Sequence, residues 1–249
     1  MDLREPYYHP DLALVHHRGF AAHPNTTAPS ILELIAPLLK RGGLVLEVGC
    51  GSGLLTKRLL EAGHRVVATD ASPAMLDLAR TELGDRADLR RVTLPDDPLP
   101  PADAVVGVGH VLNYLPDAAA VERALAAIAG ALRPGGVLAI DLCDLEWAAL
   151  RRDAANVGWV GEDWAIITRF SVPAEDQFVR EMTTFIRSAD GSWRRDDERH
   201  DNVMIDTARV PGILARHGVE CEVRDSFRGE AFPRGLKAIV GRRPAAHVI

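Results

Sequence analysis

Val-Leu-Glu-Val-Gly-Cys-Gly-Ser-Gly-Leu-Leu-Thr, residues 45–56, is the stretch that decides how this chain folds. Its apolar first half is typical of a buried strand, and Gly49, Gly51 and Gly53 then carry the chain through a turn into a helix. Glycine tolerates positive φ and lets main chain approach a ligand closely. Leu54 stands where the dinucleotide pattern has its third glycine, and no Lys followed by Ser or Thr makes a phosphate loop. The stretch therefore predicts a strand, a ligand-binding turn and a helix.

Predicted strands and helices alternate along the chain on either side of this turn. The runs that read as strands are residues 44–48, 65–70, 89–93, 104–108, 137–141, 219–227 and 236–241. Strands separated by helices of this length predict a parallel sheet with helices on both faces. We therefore expect an α/β fold with a Rossmann-like, doubly wound sheet of seven strands.

The pattern changes between residues 159 and 205, where β-rich runs follow one another without helices between them. The runs are residues 164–170, 178–186 and 193–205. Turn-forming residues separate them, including Asp190-Gly191. This segment predicts an antiparallel β-meander inserted into the α/β unit. Its edge strands could pair two copies of the chain into a homodimer, or could fold over the site.

Composition and charge exclude several classes of protein. The 249 residues are 47% apolar with a net charge of −6, which argues against a broad basic surface for nucleic acid or anionic membrane. Cys50, Cys143 and Cys221 lie far apart, match no metal spacing and form no even disulfide framework. Neither the apolar core of a signal peptide nor a bilayer-spanning run is visible. We therefore expect a cytoplasmic protein without a metal ion, bound to neither nucleic acid nor membrane.

Three motifs in chain order carry a resemblance to a known family. They are Glu-Val-Gly-Cys-Gly-Ser-Gly at 47–53, Asp-Ala-Ser-Pro-Ala-Met-Leu at 70–76, and Leu-Arg-Pro-Gly-Gly-Val-Leu at 132–138. With these motifs at matching spacing, the chain resembles the class I S-adenosylmethionine-dependent methyltransferases, specifically bacterial small-molecule members. The meander resembles the substrate-covering insertion of some small-amine and sugar methyltransferases. The implied domains are N-terminal lid helices (1–30), a cofactor-binding core (31–145 and 206–249) and the β insertion (146–205).

The resemblance implies a site for S-adenosylmethionine around the glycine turn. Glu47 would bind its ammonium group, the glycines would pack against its methionine tail, and Asp70 would accept hydrogen bonds from its ribose hydroxyls. Met75 would place its polarizable thioether on the adenine. The acid that the family often has for the adenine amine is absent, so that edge would meet main chain near Leu94, or Asp96 after a shift in register. The expected cofactor residues are Glu47, Gly49, Cys50, Gly51, Gly53, Asp70, Ala71, Met75, Leu94, Gly109 and Arg18.

The segment after the fourth strand is where we expect the chemistry, because ligands of open α/β sheets lie beyond the carboxyl ends of the strands. His110, Asn113 and Tyr114 are the polar candidates there for catalysis. Proximity and exclusion of water can supply most of the acceleration of methyl transfer, so a dedicated base is optional. If the acceptor must lose a proton, His110 is the base we expect, since its ordinary pKa is about 6.5. The alternative is that His110 bonds main chain and Tyr114 caps the core.

Candidate substrate-binding residues lie in the lid and after the fifth strand. In such a lid, Tyr7 or Tyr8 could face the cationic sulfur through a cation–π contact, and Arg18 could pair with the methionine carboxylate. Asp144 could hold a cationic amine, or equally cap the next helix. The charged run at 193–200 reads either as a solvated strand face or as part of the acceptor pocket.

Three functions are compatible with these residues and motifs. The first is methyl transfer to a polar small molecule bearing an amine, hydroxyl or carboxylate. The second keeps the cofactor but cyclises it and releases methylthioadenosine, which the aromatic N-terminal lid favours. The third is a non-enzymatic module that binds S-adenosylmethionine. A nicotinamide oxidoreductase is disfavoured because Leu54 breaks the dinucleotide spacing.

Overall fold

The fold is given by a computed structural model that describes residues 7–245. Residues 1–6 of the predicted lid and 246–249 of the predicted core lie outside the described residues. The helices are α1 (Pro10–Gly19), α2 (Ala22–Leu39), α3 (Leu54–Glu61), α4 (Pro73–Leu83), α5 (Ala118–Ala131), α6 (Leu145–Ala149) and α7 (Val210–Ala215). The strands are β1 (Leu44–Val48), β2 (Arg65–Asp70), β3 (Asp88–Arg91), β4 (Ala102–Gly107), β5 (Leu132–Cys143), β6 (Val157–Val160), β7 (Trp164–Ser171), β8 (Gln177–Arg187), β9 (Trp193–Val203), β10 (Glu220–Arg224) and β11 (Leu236–Arg242).

The larger sheet confirms the predicted doubly wound fold. Its seven strands follow the order β10-β11-β5-β4-β1-β2-β3. Strands β1 to β5 pair in parallel, and β11 runs antiparallel to both β5 and β10. Successive residues of a strand point to opposite faces, so Leu46 and Val105 enter one buried cluster while Val45 and Val106 enter the other. The carboxyl ends of β1, β2, β4 and β5 therefore meet at one edge, above a core covered on both sides.

Local sequence signals fix the helices that frame this edge. Ser72 caps α4 by accepting a 3.1 Å hydrogen bond from the amide of Met75, with Pro73 at the first helical position. Asp117 caps α5 in the same way through the amide of Ala120, at 2.7 Å. Strand β5 begins at Leu132, before the strand predicted at 137–141, and the amide of Gly135 donates to the carbonyl of Arg243 beyond the end of β11.

The predicted meander forms a separate antiparallel sheet in the order β6-β7-β8-β9. It has four strands where three were predicted, since β6 was missed. All four residues of β6 are exposed at the edge of the sheet, so no period-two burial pattern marks it. The division of the chain into lid, core and insertion stays a prediction.

The helix α1 joins the two sheets on the side of the glycine turn. It contacts α4 of the larger unit and strands β7, β8 and β9 of the smaller one. Leu12 and Val15 of α1 are buried with Ile166, Met182 and Ile186 of the small sheet. Within residues 7–245, no helix combines the length and the hydropathy needed to cross a membrane.

Candidate active site

The glycine turn after β1 places three residues in the left-handed region. The φ angles are +65° at Gly49, +54° at Gly51 and +83° at Gly53. A Cβ atom on Gly49 would meet Val111 at 2.4 Å, and one on Gly53 would meet Leu83 at 2.8 Å. A Cβ on Gly51 would meet nothing nearer than the sulfur of Met75, at 3.9 Å. Gly49 and Gly53 therefore let the turn pack against its neighbours, while Gly51 borders open space.

Asp70, at the end of β2, is tied directly to this turn. One carboxylate oxygen accepts from the amide of Gly51 at 2.8 Å, and the other accepts from the amide of Ser72 at 2.9 Å. Burial raises the pKa of Asp70, and the hydrogen bonds from Ser72, Gly51 and Ala71 partly oppose that shift. Each oxygen of a carboxylate has two lone pairs, so both can accept a further hydrogen bond. That arrangement fits the expected pair of ribose hydroxyls.

Glu47 lies beneath the turn, with 2% of its surface exposed. Its carboxyl group accepts a 2.7 Å hydrogen bond from the hydroxyl of Thr56. Burial raises its pKa to about 8, the bond from Thr56 lowers it, and the nearby Asp70 raises it further. A cationic ammonium group beside Glu47 would favour the ionised form. The expected role of Glu47 thus fits its environment and stays a prediction.

The remaining expected cofactor residues lie around these groups. Cys50 is buried, its amide bonds the carbonyl of Thr69 at 2.8 Å, and burial raises the pKa of its thiol. Met75 is 2% exposed, with its sulfur toward Gly51. Leu94 is partly buried against the core cluster of the larger sheet. Placing the adenine against Met75 and Leu94 stays a prediction.

The loop after β4 is fixed by an acid from β5. The Asp141 carboxylate accepts hydrogen bonds from the amides of Gly109 at 3.1 Å and His110 at 2.6 Å. It also lies 2.6 Å from Nε2 of His23, which projects from α2. Gly109 has φ +92° with no heavy atom within 4 Å of a Cβ added there. The loop therefore presents open backbone on the same edge of the sheet as Gly51.

His110 occupies the left-handed region, with φ 49° and ψ 44°. Its ring stacks on Tyr114 with centroids 5.4 Å apart, and its Nδ1 is buried without a hydrogen-bond partner. Burial, together with the positive charge of Arg180, lowers its pKa to about 3, although Asp141 opposes the shift. The ordinary pKa on which a general-base role was predicted is therefore not the one His110 has here. The side chain is neutral at working pH and has an acceptor or donor atom free for a ligand.

The side chain of Asn113 is fully buried, and its polar atoms form hydrogen bonds with main-chain groups. Its side-chain nitrogen donates to the carbonyls of Cys143 at 3.0 Å and Val203 at 2.6 Å, and its side-chain oxygen accepts from the amide of Cys143 at 2.8 Å. These bonds join the loop after β4 to the ends of β5 and β9. Asn113 thus holds the edge of the site together, and a direct catalytic role stays a prediction.

A polar cluster of Tyr8, Tyr114, Arg180, His200 and Glu198 covers the loop from the other side. The hydroxyls of Tyr8 and Tyr114 lie 2.6 Å apart, and Arg180 donates to the Tyr114 hydroxyl at 2.5 Å. The side chains of His200 and Glu198 are joined in turn, with Nε2 of the imidazole 2.7 Å from the carboxylate. Glu198 also accepts from the amide of Tyr8 at 2.5 Å. The cluster binds the residues before α1 to the small sheet.

The other candidate substrate residues lie at the rim of this cluster or are bonded to other protein groups. The Tyr7 ring lies 4.5 Å from that of His200, at the rim of the same cluster. Arg18 is ion-paired with Asp163, and both side chains are exposed. Asp144 caps α6 and accepts 2.9 Å and 2.5 Å hydrogen bonds from the amide and hydroxyl of Thr207. The structure thus places Tyr8 and Tyr114 together but leaves Arg18 and Asp144 with protein partners.

A cavity of about 170 Å³ opens between His110 and the small sheet. Its walls come from the loop after β4, the segment after β5 and strands β7 to β9; the lining residues are His110, Cys143, Trp147, Arg151, Phe170, Phe178, Arg180, Asn202 and Met204. Among residues 7–245, no group of three or more His, Cys, Asp or Glu side chains is arranged to hold a metal ion. The cavity thus combines apolar and aromatic walls with the polar side chains of His110, Arg151, Arg180 and Asn202.

Arg180 and His23 are among the residues of this site that were not predicted from the sequence. Arg180 shares the inward face of β8 with Phe178 and Met182, so period-two alternation was a signal that could have found it. His23 reaches Asp141 across 118 positions of sequence, and no local pattern marks such a pair. Glu198 and His200 of the charged run at 193–200 are buried, and a role of that run in the acceptor pocket stays a prediction.

The known proteins that this chain resembles are methyltransferases. A family model described as a methyltransferase domain matches residues 46–138. An uncharacterized methyltransferase of Mycobacterium bovis is 34% identical over 166 residues, which are 65% of this chain and 59% of that protein. A solved S-adenosylmethionine-dependent methyltransferase from Clostridium acetobutylicum has a TM-score of 0.78 at 15% identity, covering 94% of this chain and 98% of that one. The sugar N-methyltransferase KedS8 from Streptoalloteichus has a TM-score of 0.76 at 24% identity, covering 98% and 99%.

The matched segment contains the glycine turn, Asp70 and the loop at His110. The chain spans 59% of the length of the curated relative from Mycobacterium bovis, whereas the two solved structures agree with it in fold over nearly their whole length. Sequence match, fold and site geometry thus agree with one another. Residues 46–138 thus match a methyltransferase domain, and the chain has the fold of solved S-adenosylmethionine-dependent methyltransferases.

Proposed function

We propose that this protein transfers a methyl group from S-adenosylmethionine to a polar small molecule. When bound, the cofactor supplies an electrophilic methyl group on a cationic sulfur. A lone pair of the acceptor forms the new bond to that carbon, the carbon–sulfur bond breaks with its electron pair going to sulfur, and an amine or hydroxyl acceptor then releases a proton. The observation that carries this proposal is Asp70, held by Gly51 and Ser72 with spare lone pairs beside an open glycine turn.

The protein's own contribution is to position the two reactants and exclude water. Asp70 and the open backbone at Gly51 and Gly109 suit the ribose and methionine ends of the cofactor. Holding two reactants in a productive geometry can supply about 7–11 kcal/mol of the barrier. His110, with its unpartnered Nδ1, would orient the acceptor through a hydrogen bond. We do not assign it a general-base role, because its pKa of about 3 makes it a weak proton acceptor.

The size of the cavity favours a small acceptor. A chamber of about 170 Å³ is below the range of about 300–1,000 Å³ usual for drug-sized ligands. One of the solved structures with this fold, the sugar N-methyltransferase KedS8, supports a small-molecule acceptor. A cytoplasmic location and a homodimer stay predictions; the first is favoured by three free cysteines.

Mass spectrometry tests this proposal directly. The purified protein is incubated with S-adenosylmethionine, with and without a small-molecule cell extract. S-adenosylhomocysteine formed only with extract, together with a new mass larger by one methylene, is the expected result. Methylthioadenosine without extract would establish cyclisation instead, and cofactor binding with neither product would establish a non-enzymatic module.

A matched pair of variants ties the result to the site. Asp70→Asn is expected to weaken cofactor binding at least about tenfold, because an amide presents one acceptor oxygen in place of two charged ones. Asp77→Asn is the control, since Asp77 is an exposed residue of α4 paired with Arg80. Equal cofactor affinity in the two variants would contradict the ribose site proposed here.

A further inference from the structure

The cavity beside His110 contains two arginines that have no carboxylate partner. Arg180 bonds the Tyr114 hydroxyl and lies 3.3 Å from Nδ1 of His200, and its Nε is buried without a hydrogen-bond partner. Among residues 7–245, no carboxylate oxygen lies within 4.0 Å of a side-chain nitrogen of Arg180. Arginine stays protonated in proteins, so this cavity contains an uncompensated positive charge.

Arg151 also lines the cavity and likewise has no carboxylate partner among the described residues. Its guanidinium lies over the Trp147 ring, 3.4 Å from the centroid, and donates to the carbonyls of Trp147 and Arg234 at 3.1 Å and 3.4 Å. These partners orient the group but leave its charge uncompensated within the described part of the chain. Arg151 is only partly buried, so solvent screens part of its charge. The cost of burying a charge without a counter-charge therefore falls mainly on Arg180, unless a ligand supplies that counter-charge.

Two arginines on the outer face of the same sheet do have a carboxylate partner. Arg169 and Arg199, on β7 and β9, both pair with Glu181. Arg86 and Arg243, elsewhere in the fold, bond carbonyls as Arg151 does. What distinguishes Arg180 is that its Nε is buried without a partner while its side chain lines a cavity.

We propose that the cavity binds a carboxylate group of the methyl acceptor, with Arg180 and Arg151 as its counter-charges; this rests on the proposed function. A guanidinium matches the planar, two-oxygen geometry of a carboxylate. The rings of Phe170 and Phe178 stack with centroids 5.6 Å apart on the cavity wall, and buried Met204 adds to it. The acceptor is therefore a small organic acid with an apolar or aromatic body.

The same arrangement indicates which atom receives the methyl group. A carboxylate bound by guanidinium groups has its charge neutralised and its lone pairs engaged, so it is a poor nucleophile. The methyl group therefore goes to an amine or hydroxyl elsewhere on the same acceptor. His110 and Asn202 line the cavity, and each has a buried side-chain atom without a hydrogen-bond partner, Nδ1 and the amide oxygen, that could orient that group once a ligand is bound.

Calorimetry with matched acids and amides tests the proposal without requiring turnover. The probes are benzoate and phenylacetate against benzamide and phenylacetamide, with the protein saturated in S-adenosylhomocysteine. We expect the acids to bind at least about tenfold more tightly than the amides, the usual advantage of charge-assisted hydrogen bonds. Arg180→Gln is expected to remove that preference and Arg151→Gln to reduce it. Arg169→Gln, on the outer face, should leave it unchanged.

Each result that contradicts the proposal leads to a different conclusion. Equal binding of acids and amides by the unmodified protein overturns the proposal, as does an acid preference that survives in both Arg180→Gln and Arg151→Gln. Acids that bind only when S-adenosylhomocysteine is absent would assign the arginines to the cofactor's own carboxylate. Inorganic phosphate that binds more tightly than either acid would replace the organic acid with a phosphorylated acceptor. Because no turnover is needed, failure of methyl transfer leaves this result standing.

Discussion

The main-chain amide of His110 donates a 2.6 Å hydrogen bond to the carboxylate of Asp141, and this bond holds His110 in a left-handed conformation. A non-glycine residue in that region carries a cost of about 1–3 kcal/mol that surrounding structure must offset. The same carboxylate binds the amide of Gly109 and the imidazole of His23. One acid at the end of β5 therefore sets the shape of the loop that borders both proposed reactants.

Asp141→Asn should destabilise the protein and distort this loop. The amide has one acceptor oxygen for three donors, and its own N–H groups would face the amides of Gly109 and His110. We expect the free energy of unfolding to fall by about 2–4 kcal/mol, as for other buried charged hydrogen bonds. Urea denaturation measures the loss, with Asp163→Asn as control because Asp163 is exposed and bonds only the exposed Arg18. Equal losses in both variants would contradict the role given to Asp141.

Asn113→Ala separates a structural role from a catalytic one. The substitution leaves the amide and carbonyl of Cys143 and the carbonyl of Val203 without their side-chain partner in a buried place. We expect a loss of about 2–4 kcal/mol of stability. Asn25→Ala, on the exposed face of α2, is the control. A catalytic role for Asn113 would instead lower methyl transfer per folded molecule while the midpoint of urea unfolding stayed near that of the control.

Glu47→Gln is expected to raise the stability of the cofactor-free protein and to weaken cofactor binding. Because the folded pKa of about 8 exceeds the ordinary value of 4.5, the folded state binds more protons than the unfolded state between those pH values. Stability contributed by this group therefore falls as pH rises through that window. The glutamine variant should recover about 2–3 kcal/mol of stability between pH 5 and pH 8 in the cofactor-free protein.

The same variant should bind S-adenosylhomocysteine about tenfold more weakly, since the ammonium loses its counter-charge. Thermal unfolding across the pH range and calorimetry of cofactor binding measure the two effects. Glu61→Gln, an exposed position of α3 paired with Arg58, is the control for both. A glutamine variant whose stability shows the same pH dependence as the unmodified protein would refute the assignment.

Local patterns were enough to predict the seven-stranded sheet and the glycine turn after β1. The turn and the acid ending β2 each adjoin a strand, so local sequence marks both, although Gly51 and Asp70 lie 19 positions apart. The sheet is confirmed. The cofactor roles of Gly51 and Asp70 stay predictions.

The acceptor end depends on contacts between distant segments, which spacing does not encode. Tyr8 and Tyr114 meet across 106 positions, and Arg180 reaches Tyr114 across 66. Period two can place Arg180 on the inward face of β8, but which loop that face covers depends on how the small sheet packs. The pKa of His110 was mispredicted for the same reason, because burial and a charge from another sheet set it.

Acid should destabilise the protein through His16, a half-buried residue of α1 whose Nδ1 is buried without a partner. Burial, with smaller contributions from the charges of Arg180, His200 and His17, lowers its pKa from 6.5 to about 4. Between those values the unfolded state binds the proton and the folded state does not, so stability rises with pH across this window and is lost on acidification. The loss from this residue between pH 7 and pH 5 should be about 2 kcal/mol.

His16→Leu keeps an apolar group in the helix and removes the titration. The difference in unfolding free energy between pH 7 and pH 5, from urea denaturation, should therefore shrink by about 2 kcal/mol relative to the unmodified protein. His217→Leu, at an exposed position after α7, should leave that difference unchanged. If both variants keep the full acid sensitivity, the sensitivity arises elsewhere, and His110, whose pKa is lowered to about 3, is the next group to substitute.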